Sequence, residues 1–332
     1  MGSEINTSVS MFHKSSLLHS SSTQLSIIDL CLRSWLAERC QSEASRLSYK
    51  RDLSQFGAYL KGLGRDPLAF TRDDVVTWLE FLRTQRRSAS TRAKKLTVLK
   101  GMVRTLMLEG LFPRDRAERI LDIKAPKVSR DGRTPGLSRK EARLLLDAPD
   151  PGTPRGARDR AILAVLLYTG CRRSALCNIR LGHLLHEQGV HYILLHEKGE
   201  RLVRAPLHPQ ASERIHLWID VAGLRNSDPH GWLFRPFNRR GSQLLDKPLH
   251  EFMPWYIVKT HAREAGLQVD RLDERGICAH STRVTAITAS FEGGAKLEEI
   301  QQLVGHKDAR NTLRYRRSSP RDAQNAVLRI NY

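Results

Sequence analysis

The run Val304 to Arg317, VGHKDARNTLRYRR, sets a phenol among cations. Tyr315 lies between Arg314 and Arg316, a short way after His306, and its nearest neighbours carry no acid. Such a surround favours the phenolate and also gathers phosphate. Tyr315 therefore has two readings, a packed aromatic or a nucleophile toward a phosphodiester. Three other stretches hold unusual polar residues: TGCRRSAL (169–176), HEKGE (196–200) and AHSTRVTA (279–286). Each alone is ordinary. An Arg after a helix-ending TG can cap that end, a Lys at a hairpin tip is usually solvated, and an HxxR pair is often a local polar pair on a helix face.

Something must bring these stretches together. At 332 residues the chain has room for about two domains. From about 24 to 112 the apolar spacing is helical. Leu25, Ile28, Leu32, Trp35 and Leu36 mark one helix, and Leu47, Phe56, Tyr59 and Leu60 a second. A third begins at the cap Thr71, with Asp74 three residues on. The fourth runs from about Ser90 to Glu109 and stops at Gly110. Residues 1–23 are Ser-rich and read as a flexible tail, 24–122 as a four-helix domain, and 123–137, rich in Pro, Gly and basic residues, as a linker. A second, mostly helical domain, 138–332, opens at Ser138 with Glu141 completing a capping box. It has a buried helix at Ala157–Tyr168 and one hairpin at Val190–Leu207. Further helices are expected at Pro209–Ala222, Pro248–Ala265, Ser281–Phe291 and Lys296–Leu303, with a C-terminal one from about 320.

Composition narrows the partner. There are 55 Lys+Arg against 35 Asp+Glu, a net charge of +20 and a pI near 10.3. An excess this large argues for a polyanion, with DNA ahead of a membrane surface because the cations are spread along the whole chain. Between Arg83 and Arg104 the sequence has basic residues and no acid, which makes Arg86, Arg87, Arg92, Lys94, Lys95 and Lys100 candidate DNA contacts. The alternative for such a run is a solvated helix face. No apolar run is long enough to span a bilayer and no signal peptide is visible, so a cytoplasmic, nucleoid-associated bacterial protein is expected. The five cysteines show no CxxC spacing and read as small buried residues. No carboxylate cluster suits a two-metal site, so neither metal nor cofactor is implied.

The ordered elements Arg, Lys, HxxR, GH and Tyr resemble the tyrosine recombinase (phage integrase) family, most closely in EGGAKLEEIQQLVGHKDARNTLRYRR. The resemblance covers about 138–318 by motif and 24–112 only in general character. It implies a mainly α fold, in which a helical core-binding domain and a helical catalytic domain with a small antiparallel sheet form a C-shaped DNA clamp. It also implies a catalytic set of Arg172, Lys198, His280, Arg283, His306 and the nucleophile Tyr315. Arg173 is an alternative alignment for the first arginine. One departure matters. The family usually places an acid three residues after that arginine, and here the residue is Ala175, so Arg172 needs another partner.

The chemistry fits these residue types. Attack by a phenol on a phosphodiester builds negative charge on the non-bridging oxygens, which the guanidiniums of Arg172 and Arg283 can meet with paired donors. A tyrosine with a reference pKa of about 10 needs a base, for which His280 is placed. Lys198 on a hairpin turn can protonate the departing 5′ oxygen, and His306 can hydrogen-bond a phosphate oxygen. The resulting 3′-phosphotyrosyl link keeps the bond energy, so strands can be exchanged without ATP. By resemblance the protein acts on duplex recombination sites as a homotetramer, through a Holliday junction, and is a monomer or weak oligomer when free. The short polar stretch before the first helix favours a simple recombinase over one that also binds arm sites. The C-terminal helix would dock on a neighbouring protomer or pack in cis. The rivals are a type IB topoisomerase or telomere resolvase, and a non-catalytic DNA-binding accessory protein. Integration, excision and resolution by a mobile element all remain open.

Overall fold

The computed structural model of the chain describes residues 33–40, 42–66, 69–128, 134–197, 201–268 and 276–316. The expected tail, Leu25, Ile28, Leu32, Lys198 and the C-terminal helix lie outside the described residues. The chain divides into two compact units, 1–131 and 132–332.

The first unit is helical: α1 (33–39), α2 (Glu43–Gly62), α3 (Arg72–Thr84), α4 (Ala89–Leu108) and α5 (Arg114–Leu121). Local signals start and stop these helices. Ser42 caps α2. At α3, Thr71 accepts from the Asp74 amide while the Asp74 carboxylate accepts from the Thr71 amide at 2.8 Å, closing a capping box. The inward stripes of α2 to α5 meet in one core of Phe56, Phe70, Trp78, Leu96, Leu99, Val103, Leu106 and Ile120. Trp35 and Leu36 of α1 pack with Val98. The four-helix expectation leaves out α5. This helix buries only Ala117 and Ile120, too few apolar positions to print a periodic stripe.

The second unit runs α6 (Arg139–Asp147), α7 (Pro154–Thr169), α8 (Arg173–Cys177), β1 (Leu184–Glu187), β2 (Val190–Glu197), β3 (Arg201–Pro206), α9 (Pro209–Val221), α10 (Met253–Glu264), α11 (Ala279–Glu292), α12 (Leu297–Val304) and α13 (Ala309–Leu313). Helix α7 is buried nearly all round and forms the spine of the core. The sheet is antiparallel with order β1-β2-β3. The hairpin of β2 and β3 pairs Glu197 with Arg201 at its tip and Tyr192 with Pro206 at its base. Strand β1, four residues long, adds a third strand that the sequence reading lacks. Along β2 the buried positions alternate as Ile193, Leu195 and Glu197, so the last inward position holds a carboxylate. Cys40, Cys171 and Cys177 are buried free thiols and Cys278 is half-buried. Burial pushes the thiols of Cys171 and Cys177 up to about 12.

Candidate active site

Helix α7 ends at Gly170, which takes the left-handed conformation with φ 61°. A Cβ there would also lie 3.1 Å from that of Ala286, so glycine suits both the turn and the approach of α11. The turn delivers Arg172 as the residue that starts α8, with its side chain 35% exposed. Its partner is Glu197, from the end of β2. One carboxylate oxygen accepts from the Arg172 main-chain NH at 3.1 Å and the other pairs with Nη1. Ala175 is buried apolar core, so the acid missing there is met from the hairpin instead.

The first turn of α11 carries His280 and Arg283, which share a helix face at i, i+3 spacing. His280 is exposed, whereas Arg283 is 3% exposed. Nη1 of Arg283 donates to the Gly170 carbonyl at 2.6 Å and Nη2 to the Val304 carbonyl at 2.7 Å. It thereby closes the C-terminal ends of α7 and α12, where helices favour cations. Nη1 also stands 3.7 Å from Glu197 Oε1. Desolvation pulls the Arg283 pKa down and the nearby Arg172 adds to this, while the Glu197 carboxylate works against both.

Helix α12 stops at Gly305, with φ 68°, where a Cβ would come within 3.0 Å of Val203 on β3. His306 follows and is 8% exposed. Its Nε2 lies 2.9 Å from Arg283 Nη2 and its Nδ1 lies 2.9 Å from Thr312 Oγ1. A guanidinium can only donate, so the network assigns the proton to Nδ1, which donates to Thr312. Burial first, then Arg283, Arg172 and Arg201, pull the His306 pKa down to about 4. Both ring nitrogens are already engaged, and the ring braces Arg283. Tyr315, just after α13, is half-buried. Its ring stacks near His306 at a centroid distance of 6.2 Å, and it packs against the cluster of Ile287, Ile300 and Val304. The two sequence readings of Tyr315 are compatible, since one side packs and the residue still lines an open cavity.

That cavity, of about 640 Å³, is lined by Arg172, His280, Arg283, His306 and Tyr315 together, with Arg173, Trp255 and Arg314 on its walls. Five of the six expected catalytic residues thus share one concave surface, and the sixth, Lys198, lies outside the described residues directly after Glu197. The guanidiniums of Arg172 and Arg283, the imidazoles of His280 and His306 and the phenol of Tyr315 around one space are equipped to hold a phosphodiester and attack it. Sequence reasoning missed Glu197 and Thr312. The alternation of Ile193, Leu195 and Glu197 was a usable signal for the first, because a carboxylate on the core face of a strand demands a cation. Thr312 carried no such mark.

The six candidate DNA cations fare unequally. Arg86 and Arg87 are exposed at the α3–α4 turn. Lys94 is exposed but pairs with Asp52 at 2.8 Å. Lys95 is 6% exposed, with Nζ 2.5 Å from Asp52 and 2.5 Å from Gln55, which withdraws it from the surface set. Lys100 donates to the carbonyls of Leu121 and Ile123, and desolvation lowers its pKa. Arg92 is half-buried, with Nε lacking a hydrogen-bond partner. The premise that no acid answers this run fails because Asp52 arrives from α2.

Residues 136–321 match the phage integrase family model, and 32–110 match the phage integrase N-terminal SAM-like domain. Tyrosine recombinase XerD of Listeria monocytogenes is 28% identical over 295 residues, covering 87% of this chain and 93% of the relative. XerD of Pseudomonas aeruginosa is 30% identical over 294 residues, covering 87% and 91%. Among solved structures, a lambda integrase tetramer bound to a Holliday junction shares the fold at a TM-score of 0.67 and 16% identity, covering 90% of this chain and 79% of that one.

Proposed function

The chain belongs to the tyrosine recombinase (phage integrase) family, and on that premise we propose that it cuts and rejoins DNA at specific sites through Tyr315. The Tyr315 oxygen attacks a backbone phosphorus, the bond from phosphorus to the 5′ oxygen breaks, and a 3′-phosphotyrosyl link forms. His280 takes the phenolic proton, and Lys198 supplies the proton that leaves with the 5′ hydroxyl. Arg172 and Arg283 hold the non-bridging oxygens as charge builds on them. Attack by a 5′ hydroxyl from a second site reverses the step and completes an exchange. The observation that carries this reading is the single cavity shared by Arg172, His280, Arg283, His306 and Tyr315.

Strand exchange in a homotetramer, through a Holliday junction, in the bacterial cytoplasm, is the assembly this reading adopts. The likeness to the junction-bound lambda integrase tetramer supports it at the level of the fold. The exposed Arg86 and Arg87, with Lys94, supply the first unit's phosphate contacts.

The test is a nicked suicide duplex carrying a recombination site. Wild-type protein accumulates a covalent adduct on it. Tyr315→Phe removes one oxygen, leaves the packing against Ile287 and Val304, binds the duplex with unchanged affinity and forms no adduct. An adduct formed by Tyr315→Phe would move the nucleophile elsewhere, with Tyr256 and Tyr332 next in turn.

A further inference from the structure

We propose that Glu197 is a positioning residue for cleavage, aiming the guanidiniums of Arg172 and Arg283 at the phosphate from the base of the hairpin tip. The inference rests on the recombinase reading above. Its starting point is a placement that a merely structural residue would not need. Glu197 occupies the third inward position of β2 after Ile193 and Leu195, where a strand ordinarily continues apolar. A carboxylate is tolerated there only if cations answer it. Two do. Arg172 is gripped twice, at its main-chain NH and at Nη1, and Arg283 Nη1 stands 3.7 Å away.

The carboxylate divides its work. Oε1 faces the Arg172 main chain and Arg283, while Oε2 takes the Arg172 side chain, so one residue fixes the distance between both arginines. Pairing through Nη1 leaves the rest of the Arg172 guanidinium fork for a ligand. Among the described residues, Glu197 is the acid bonded to Arg172, and the buried methyl of Ala175 has nothing to offer it. The stem of Glu197 also lies beside Gly305, within 3.4 Å of where a Cβ would stand, so the same side chain borders the turn that carries His306.

The experiment is single-turnover cleavage of the suicide duplex at saturating protein, beside an affinity titration on the same DNA. Glu197→Gln keeps the shape and removes the charge. The expected result is a cleavage rate lower by about 10- to 100-fold, with Kd within about 3-fold of wild type. Glu197→Asp, which keeps the charge on a shorter stem, should cleave faster than Glu197→Gln and slower than wild type. A Glu197→Gln rate equal to wild type overturns the assignment. So does a faster rate, which would make the carboxylate a competitor of phosphate for Arg172. An equal loss in rate and in Kd also overturns it, since a loosened site loses both. If Glu197→Gln does not hold its fold, Glu197→Asp is compared with wild type: its reach is one methylene short, so an unchanged rate counts against the proposal and a clear fall at unchanged Kd counts for it. A wild-type chain that forms no adduct would sink the recombinase reading itself. An active wild type with an indifferent Glu197→Gln sinks only this inference.

Discussion

His306 is held neutral by its surroundings. Burial and the charges of Arg283, Arg172 and Arg201 depress its pKa to about 4, against about 6.5 in an unfolded chain. The unfolded chain therefore binds a proton first as the solution is acidified, so this residue's contribution to stability is present above pH 6.5 and is lost as pH falls toward 4. Wild-type protein should lose Tm more steeply between pH 7 and pH 4 than His306→Asn, as followed by circular dichroism. Parallel slopes for the two proteins would mean that the ring is not buried neutral. At this scale the sequence was partly legible. His306 and Tyr315 could be named together because they sit in one short run, and the structure sets both on the same cavity. Glu197 and Thr312 could not be named, because their roles depend on contacts that close only when the hairpin meets α8 and α13 meets the turn after α12.

Among the elements, the tie between α2 and α4 shows why a run of cations is hard to interpret from order alone. Asp52 on α2 pairs with both Lys94 and Lys95. Burial works against its charged form, but the two lysines more than offset this and hold its carboxyl below the usual range. Asp52→Ala strands Lys95 in the core and should destabilise the first unit by about 3 kcal/mol. Arg86→Ala and Arg87→Ala, at the exposed turn, should each change stability by less than about 0.5 kcal/mol while weakening DNA binding. Denaturant melts and filter-binding titrations on the same variants separate the two effects, and a large stability loss from Arg86→Ala would show that this turn is structural. The long helices were legible because their stripes and caps are local, as at Thr71 and Ser138. Helix α5 and strand β1 were not, because eight and four residues give a periodic pattern too little length to show itself.

The whole molecule carries a net charge of +20, and this is a statement about its partner's charge more than about its fold. DNA affinity should fall with salt along a log–log line of slope about −0.9 per phosphate neutralised. Replacing Arg86 and Arg87 together by Ala should flatten that line by about 1 to 2. A flat response in the wild type would remove DNA as the partner of the first unit. The helical character and the family motifs were open to sequence reasoning because each is written in local spacing. How the segments around Arg172, Glu197, Arg283 and His306 interlock was not. Arg283, though, has a consequence for descent. The cation that would meet the phosphate also closes the ends of α7 and α12, so no lineage can discard it cheaply. A descendant that abandons catalysis would erode first at the tyrosine and keep this arginine, and such a relic would be recognised by an intact charge facing a missing hydroxyl.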